Sequence, residues 1–224
     1  MTDFPIQSSI FILQIAVLYF VSRITIQEIF RFFYFFTSNR KIIFSLMSLV
    51  LLPGTALHEI AHFIMATILM MRVKEVKIIP EWEGNSIKLG RVLYEKKDAV
   101  RGIIVGIAPI LAGIFFFWFA AQIGRDINNN LGLNILLVYL IFIISSTMFS
   151  SKQDLIDIIF TIPFFLVIIG GAYILNIPII KIIQNFLPKL DSGLVIINRF
   201  LFYSLAIHIV IIVSFKSFKR VLKK

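Results

Sequence analysis

Six apolar runs, each near or above the roughly 20 residues a helix needs to cross a bilayer, dominate this chain of 224 residues. They cover Phe4 to Ser22, Ile42 to Met71, Gly102 to Ile123, Leu133 to Phe149, Leu155 to Leu175 and Leu194 to Phe215. Hydrophobic residues make up 59% of the chain and charged residues 15%, against roughly 45–50% and 25% in soluble domains. A globule of this size cannot hide so much apolar surface, including 24 Phe, so the excess must face lipid. The reading is an all-α polytopic membrane protein, a single domain over residues 1–224 with about six transmembrane helices.

The same balance excludes a disordered chain and a soluble nucleic-acid binder, although Lys and Arg number 22 against 12 Asp and Glu. No nucleic-acid partner is expected. With no Cys, disulfides, thiolate metal sites and a cysteine nucleophile are also excluded. No basic residue precedes the first apolar run, which predicts a retained anchor, not a cleaved signal peptide. After that run Arg23, Gln27 and Arg31 recur every four residues. This polar stripe fits a helix lying in the interface, or one long first helix whose arginines snorkel.

Six spans put both ends of the chain on one side. Counting Lys and Arg with the ends inside gives 14 on that side and 7 on the other, so the N- and C-termini are expected in the cytoplasm of a cell-membrane protein. Between the second and third runs, residues 72–98 are the most densely charged segment of the chain. Val73, Val76, Ile78 and Ile79, then Ile87, Leu89, Val92 and Tyr94, flank Glu83-Gly84-Asn85, which predicts a small cytoplasmic β-hairpin.

Within the second run stands His58-Glu59-Ile60-Ala61-His62. Residues four apart lie one above the other on a helix, so both imidazoles can reach one metal ion. Glu59, about 100° round the helix, can stand beside the open position and take a proton from water. With 3 His in the chain, chance occurrences of this pattern are expected on the order of 10⁻³. Ionisable groups at membrane depth cost at least ~2.5 kcal/mol each, so three of them within two turns point to function. Pro53 removes a backbone hydrogen bond near Leu49, and a kink there would open the helix toward water.

Catalytic zinc takes three protein ligands and a water. The metzincin extension is absent, since Met65 and Ile68 stand where its Gly and third His would be. No Glu follows Glu95, which leaves Asp154, Asp157 and His208 as candidate third ligands in or next to later spans. For His208 an interhelical hydrogen bond is the competing role. Asp126 and Asp191 fall on the far side in this topology.

These features resemble the site-2 proteases, polytopic zinc metalloproteases that cleave within or near the bilayer. The resemblance rests on His58-Glu59-x-x-His62 in an early span and on Gly106-Ile107-Ala108-Pro109 with Gly113 in the next. An aspartate two spans after the histidines and the charged hairpin complete it, over residues 42–157. It implies His58, His62 and Asp154 as zinc ligands, Glu59 as general base, a hairpin that contacts substrate, and a membrane-anchored protein or peptide as substrate. The family's Leu-Asp-Gly around the third ligand is replaced by Gln153-Asp154-Leu155, so this would be a minimal or divergent member. The competing class is a non-hydrolytic metal-binding membrane protein or transporter, for which Glu59 would not be required.

Overall fold

The computed structural model describes residues 6–83, 86–88, 90–95, 98–123, 130–149 and 179–222, together with scattered positions between 163 and 175. Five long helices and a small β element make up the described part: α1 (Ile6–Phe36), α2 (Arg40–Ile68), α3 (Ala99–Ile123), α4 (Leu131–Thr147) and α5 (Ile179–Leu222). Four of them contain stretches long and apolar enough to cross a membrane, and α4 is a shorter apolar helix. The expected crossing from Leu155 to Leu175 lies largely outside the described residues.

The polar stripe does not break the first helix. α1 runs uninterrupted for 31 residues, about 46 Å at 1.5 Å per residue, so it outreaches a hydrocarbon core of about 30 Å. Arg23 lies over the Tyr19 ring at 4.8 Å. Thr37, Ser38 and Asn39 turn the chain, and the Asn39 side chain caps α2 by accepting from the Lys41 N–H at 3.0 Å. α2 then returns antiparallel to α1, with Ile29 packed among Ile43, Met47 and Leu51. Pro53 is accommodated inside the continuous helix.

α2 ends in a Schellman turn. The Met71 N–H bonds the Ala66 carbonyl at 2.9 Å and the Met70 N–H bonds that of Thr67 at 3.0 Å, with Met70 in the left-handed region at φ 53°. This turn directs the chain into β1 (Val73–Lys77), followed by β2 (Glu81–Glu83), β3 (Ser86–Lys88) and β4 (Arg91–Tyr94). β2 pairs with β3 and β1 with β4, both antiparallel. The expected hairpin is therefore present as two nested ladders. Cross-strand charge pairs line it: Arg91 Nη2 to Glu75 at 2.6 Å and Lys74 to Glu95 at 2.8 Å. Lys77 bonds Glu81, which raises the ammonium's pKa above its ordinary value. At its base Val73 and Tyr94 pack on Ala66, Met71 and Val105, fixing the hairpin to the junction of α2 and α3.

The long α5 corrects the expected topology. Asp191 accepts from the Ser8 N–H at 2.7 Å and hydroxyl at 2.9 Å, His208 meets Thr25, and Lys219 meets Glu28 at 2.9 Å. Sequence number rises together along both helices, so α5 lies parallel to α1. Ile6 and Leu222 are thus at opposite ends of the bundle. The hairpin shares an end with Ile6 and Asp191, whereas the C-terminal end of α5 shares the end of Phe36 and Arg40. The expectation of six alternating crossings gives α5 the opposite direction and puts Asp191 away from the hairpin, which its bonds to Ser8 overturn. With Lys189 at the hairpin end and Lys216, Lys219 and Arg220 at the other, basic residues stand at both ends among the described residues, and the charge bias no longer orients the chain.

Candidate metal centre

α2 carries the motif in the predicted register. His58 and His62 are both buried, and their Nε2 atoms face each other at 3.1 Å. The His62 Nδ1 lies 2.9 Å from the Val105 carbonyl of α3. A carbonyl only accepts, so Nδ1 carries the hydrogen and Nε2 presents its lone pair. This is the outer hydrogen bond that metal-binding histidines ordinarily make. Two nitrogens bound to tetrahedral zinc at about 2.0–2.1 Å lie about 3.3 Å apart, close to the spacing present here.

Small residues let α3 approach this closely. Gly102 and Gly106 are buried on α3 either side of Val105, as are Ala108 and Pro109, so the Gly102-x-x-x-Gly106 spacing serves helix packing. Further along, Gly113 faces Met148 at the end of α4, where an added Cβ would lie 3.1 Å from its sulfur.

Glu59 is half-buried and faces the hairpin. A Cβ built on Gly90 would lie 2.6 Å from its Cγ and 3.2 Å from its Oε1. The connection into β4 therefore rests directly on the carboxylate side chain, which an added Cβ would push aside. The sequence reading missed Gly90, yet an isolated glycine inside an alternating strand pattern signals close backbone approach. The Val105 carbonyl left no sequence signal, since any residue supplies one.

α4 reaches the site from the other side. The Tyr139 hydroxyl bonds the Val50 carbonyl at 2.8 Å, and a Cβ on Gly54 would be 2.4 Å from Thr147 Oγ1 and 2.8 Å from the Ile143 carbonyl. Gly54 is one turn before His58 on the same face. α4 therefore ends within the bundle, about a turn short of the histidine pair.

His208 is not brought to this pair. It is fully buried, with Nε2 3.0 Å from Ser145 Oγ and Nδ1 2.9 Å from Thr25 Oγ1, so both ring nitrogens join α5 to α4 and α1. Asp154 and Asp157 lie outside the described residues. Among the described residues no group of three or more His, Asp or Glu could hold a metal ion. Comparisons with protein-family models, curated proteins and solved structures give no match to this chain.

Proposed function

We propose that this protein is a membrane-embedded zinc metalloprotease that hydrolyses peptide bonds of membrane-anchored proteins or peptides. The observation that carries the reading is the pair of buried, converging Nε2 atoms, one of them held in tautomer by Val105, with a carboxylate on the intervening turn. His58 and His62 would hold the metal, and Asp154 is proposed as the third ligand. The end of α4 beside Gly54 supports that choice, because the chain leaves Thr147 about one turn from His58.

When bound, zinc supplies Lewis acidity and acidifies a water molecule. Glu59 would take that proton on a carboxylate oxygen and deliver it to the leaving amine nitrogen, since a peptide anion is too basic to leave unprotonated. His62 is kept in its productive tautomer by the Val105 carbonyl. The hairpin, resting on Glu59 through Gly90, would hold an extended substrate segment near the base and exclude bulk water.

The test pairs metal analysis of the purified protein with a Glu59→Gln variant. Expected are about one zinc per chain in both proteins, peptide cleavage by the wild type, and a loss of about 10²–10⁴-fold in the variant. Zinc without cleavage by the wild type would favour the non-hydrolytic metal-binding reading, and cleavage at the wild-type rate by the variant would remove Glu59 as the general base.

A further inference from the structure

A groove of about 360 Å³ lies between the second half of α1 and the first half of α2, toward the end of the bundle opposite the hairpin. Its floor is Phe30, Phe44, Met47 and Leu51, and its polar lining is Gln27 and Arg31. The volume falls in the range of ordinary ligand sites, about 300–1,000 Å³. Neighbouring residues on both helices, including Ile24, Leu46 and Leu49, are exposed and apolar, so the groove opens toward lipid.

The charges beside it are anchored. Glu28 is buried, giving one carboxylate oxygen to Arg31 Nη1 at 2.6 Å and the other to Lys219 at 2.9 Å. Two cations against one anion leave a positive balance, and Arg31 keeps 62% of its side chain exposed. A guanidinium has five N–H donors, and the bond to Glu28 engages Nη1 alone. Arg40 and Lys41 are exposed about one helical turn further out than Phe44. An apolar slot along the membrane, closed at its outer end by cations, matches an acyl chain below a phosphate.

We propose that the groove between α1 and α2 binds an anionic phospholipid, its chain along Phe30, Phe44 and Leu51 and its phosphate on Arg31 with Arg40 and Lys41 nearby. Guanidinium and phosphate form paired hydrogen bonds that zwitterionic headgroups weaken by internal compensation. This site is independent of the metal centre and of whether the protein hydrolyses anything.

The experiment uses the full chain in nanodiscs, with Phe44→Trp on a background carrying Trp82→Phe and Trp118→Phe. Quenching by brominated phosphatidylglycerol is compared with quenching by brominated phosphatidylcholine. Native Trp118, which is exposed on α3, serves in a Trp82→Phe background as the reporter of general annular lipid. Expected is a preference for the anionic lipid at position 44, reduced about fivefold by Arg31→Gln and only partly kept by Arg31→Lys, which retains the charge without the paired hydrogen bonds. Equal quenching by the two lipids would overturn the proposal. So would an equal anionic preference at Trp118, or a preference unchanged by Arg31→Gln.

Discussion

The side chain of Glu59 occupies the space in which a side chain at residue 90 would begin, with its Cγ 2.6 Å from the Cβ that Gly90 lacks. Adding one methyl group therefore forces either the hairpin away from α2 or the carboxylate away from its position. Gly90→Ala is expected to keep zinc and fold while lowering kcat/KM about 10²-fold, the size associated with a misplacement of about 1 Å at a reacting group. Zinc content, thermal unfolding and cleavage rate measured on the same preparation check it. An unaltered rate would show that the contact has no part in placing the base.

Gly54 is equally confined, but by α4. A Cβ there meets Thr147, the Ile143 side chain and the Ile143 backbone oxygen within 2.8 Å, and backbone cannot swing aside as a side chain can. Gly54→Ala should destabilise the bundle by ~1–3 kcal/mol, the usual cost of overpacking. Unfolding followed in detergent measures this, and stability equal to wild type would mean that α2 and α4 are less tightly joined than their geometry indicates.

The third ligand separates by zinc content. His208→Ala should retain the metal and lose ~1–3 kcal/mol of stability, because the buried bonds that tie α5 to Thr25 and Ser145 are removed and each hydroxyl keeps only the bond to its own helix. Asp154→Ala should lose most of the zinc, and Asp157→Ala should not. Full zinc in Asp154→Ala would move the ligand to another residue, and metal loss in a well-folded His208→Ala would contradict the structural role of that ring.

Sidedness can be read with cysteines in an otherwise cysteine-free chain. Lys74 in β1 and Arg220 near the end of α5 are both exposed and lie at opposite ends of the bundle. An impermeant thiol reagent added to intact cells should label one of Lys74→Cys and Arg220→Cys and spare the other. Labelling of both, or of neither until lysis, would restore the arrangement with both on one side.

What the sequence conveyed was local. The four-residue spacing of His58 and His62 fixes a shared helix face whatever surrounds it, and the alternation flanking residues 83–85 made the hairpin legible. Relations between distant segments were not legible. The direction of α5 depends on whether the chain crosses between Phe149 and Ile179, and hydropathy cannot distinguish a crossing from an apolar stretch that returns. Whether Arg23, Gln27 and Arg31 ended α1 or decorated it also turned on tertiary partners, since Glu28 and Lys219 meet only after α1 and α5 pack. His208 was ambiguous for the same reason, its partners Thr25 and Ser145 being far from it in the chain.

The early ending of α4 has an electrostatic consequence. The last carbonyls of a helix carry the equivalent of about half an elementary negative charge, and Thr147 sets that end against Gly54, a turn from His58. Helices that cross completely leave their termini among headgroups and water, where such a charge is screened. Here it lies inside the bundle, beside Ser145, Ser146 and Thr147, whose hydroxyls bond back to their own helix. A helix of 17 residues thereby becomes a fixed source of negative potential at depth, which would favour a cation beside the two imidazoles of the proposed site.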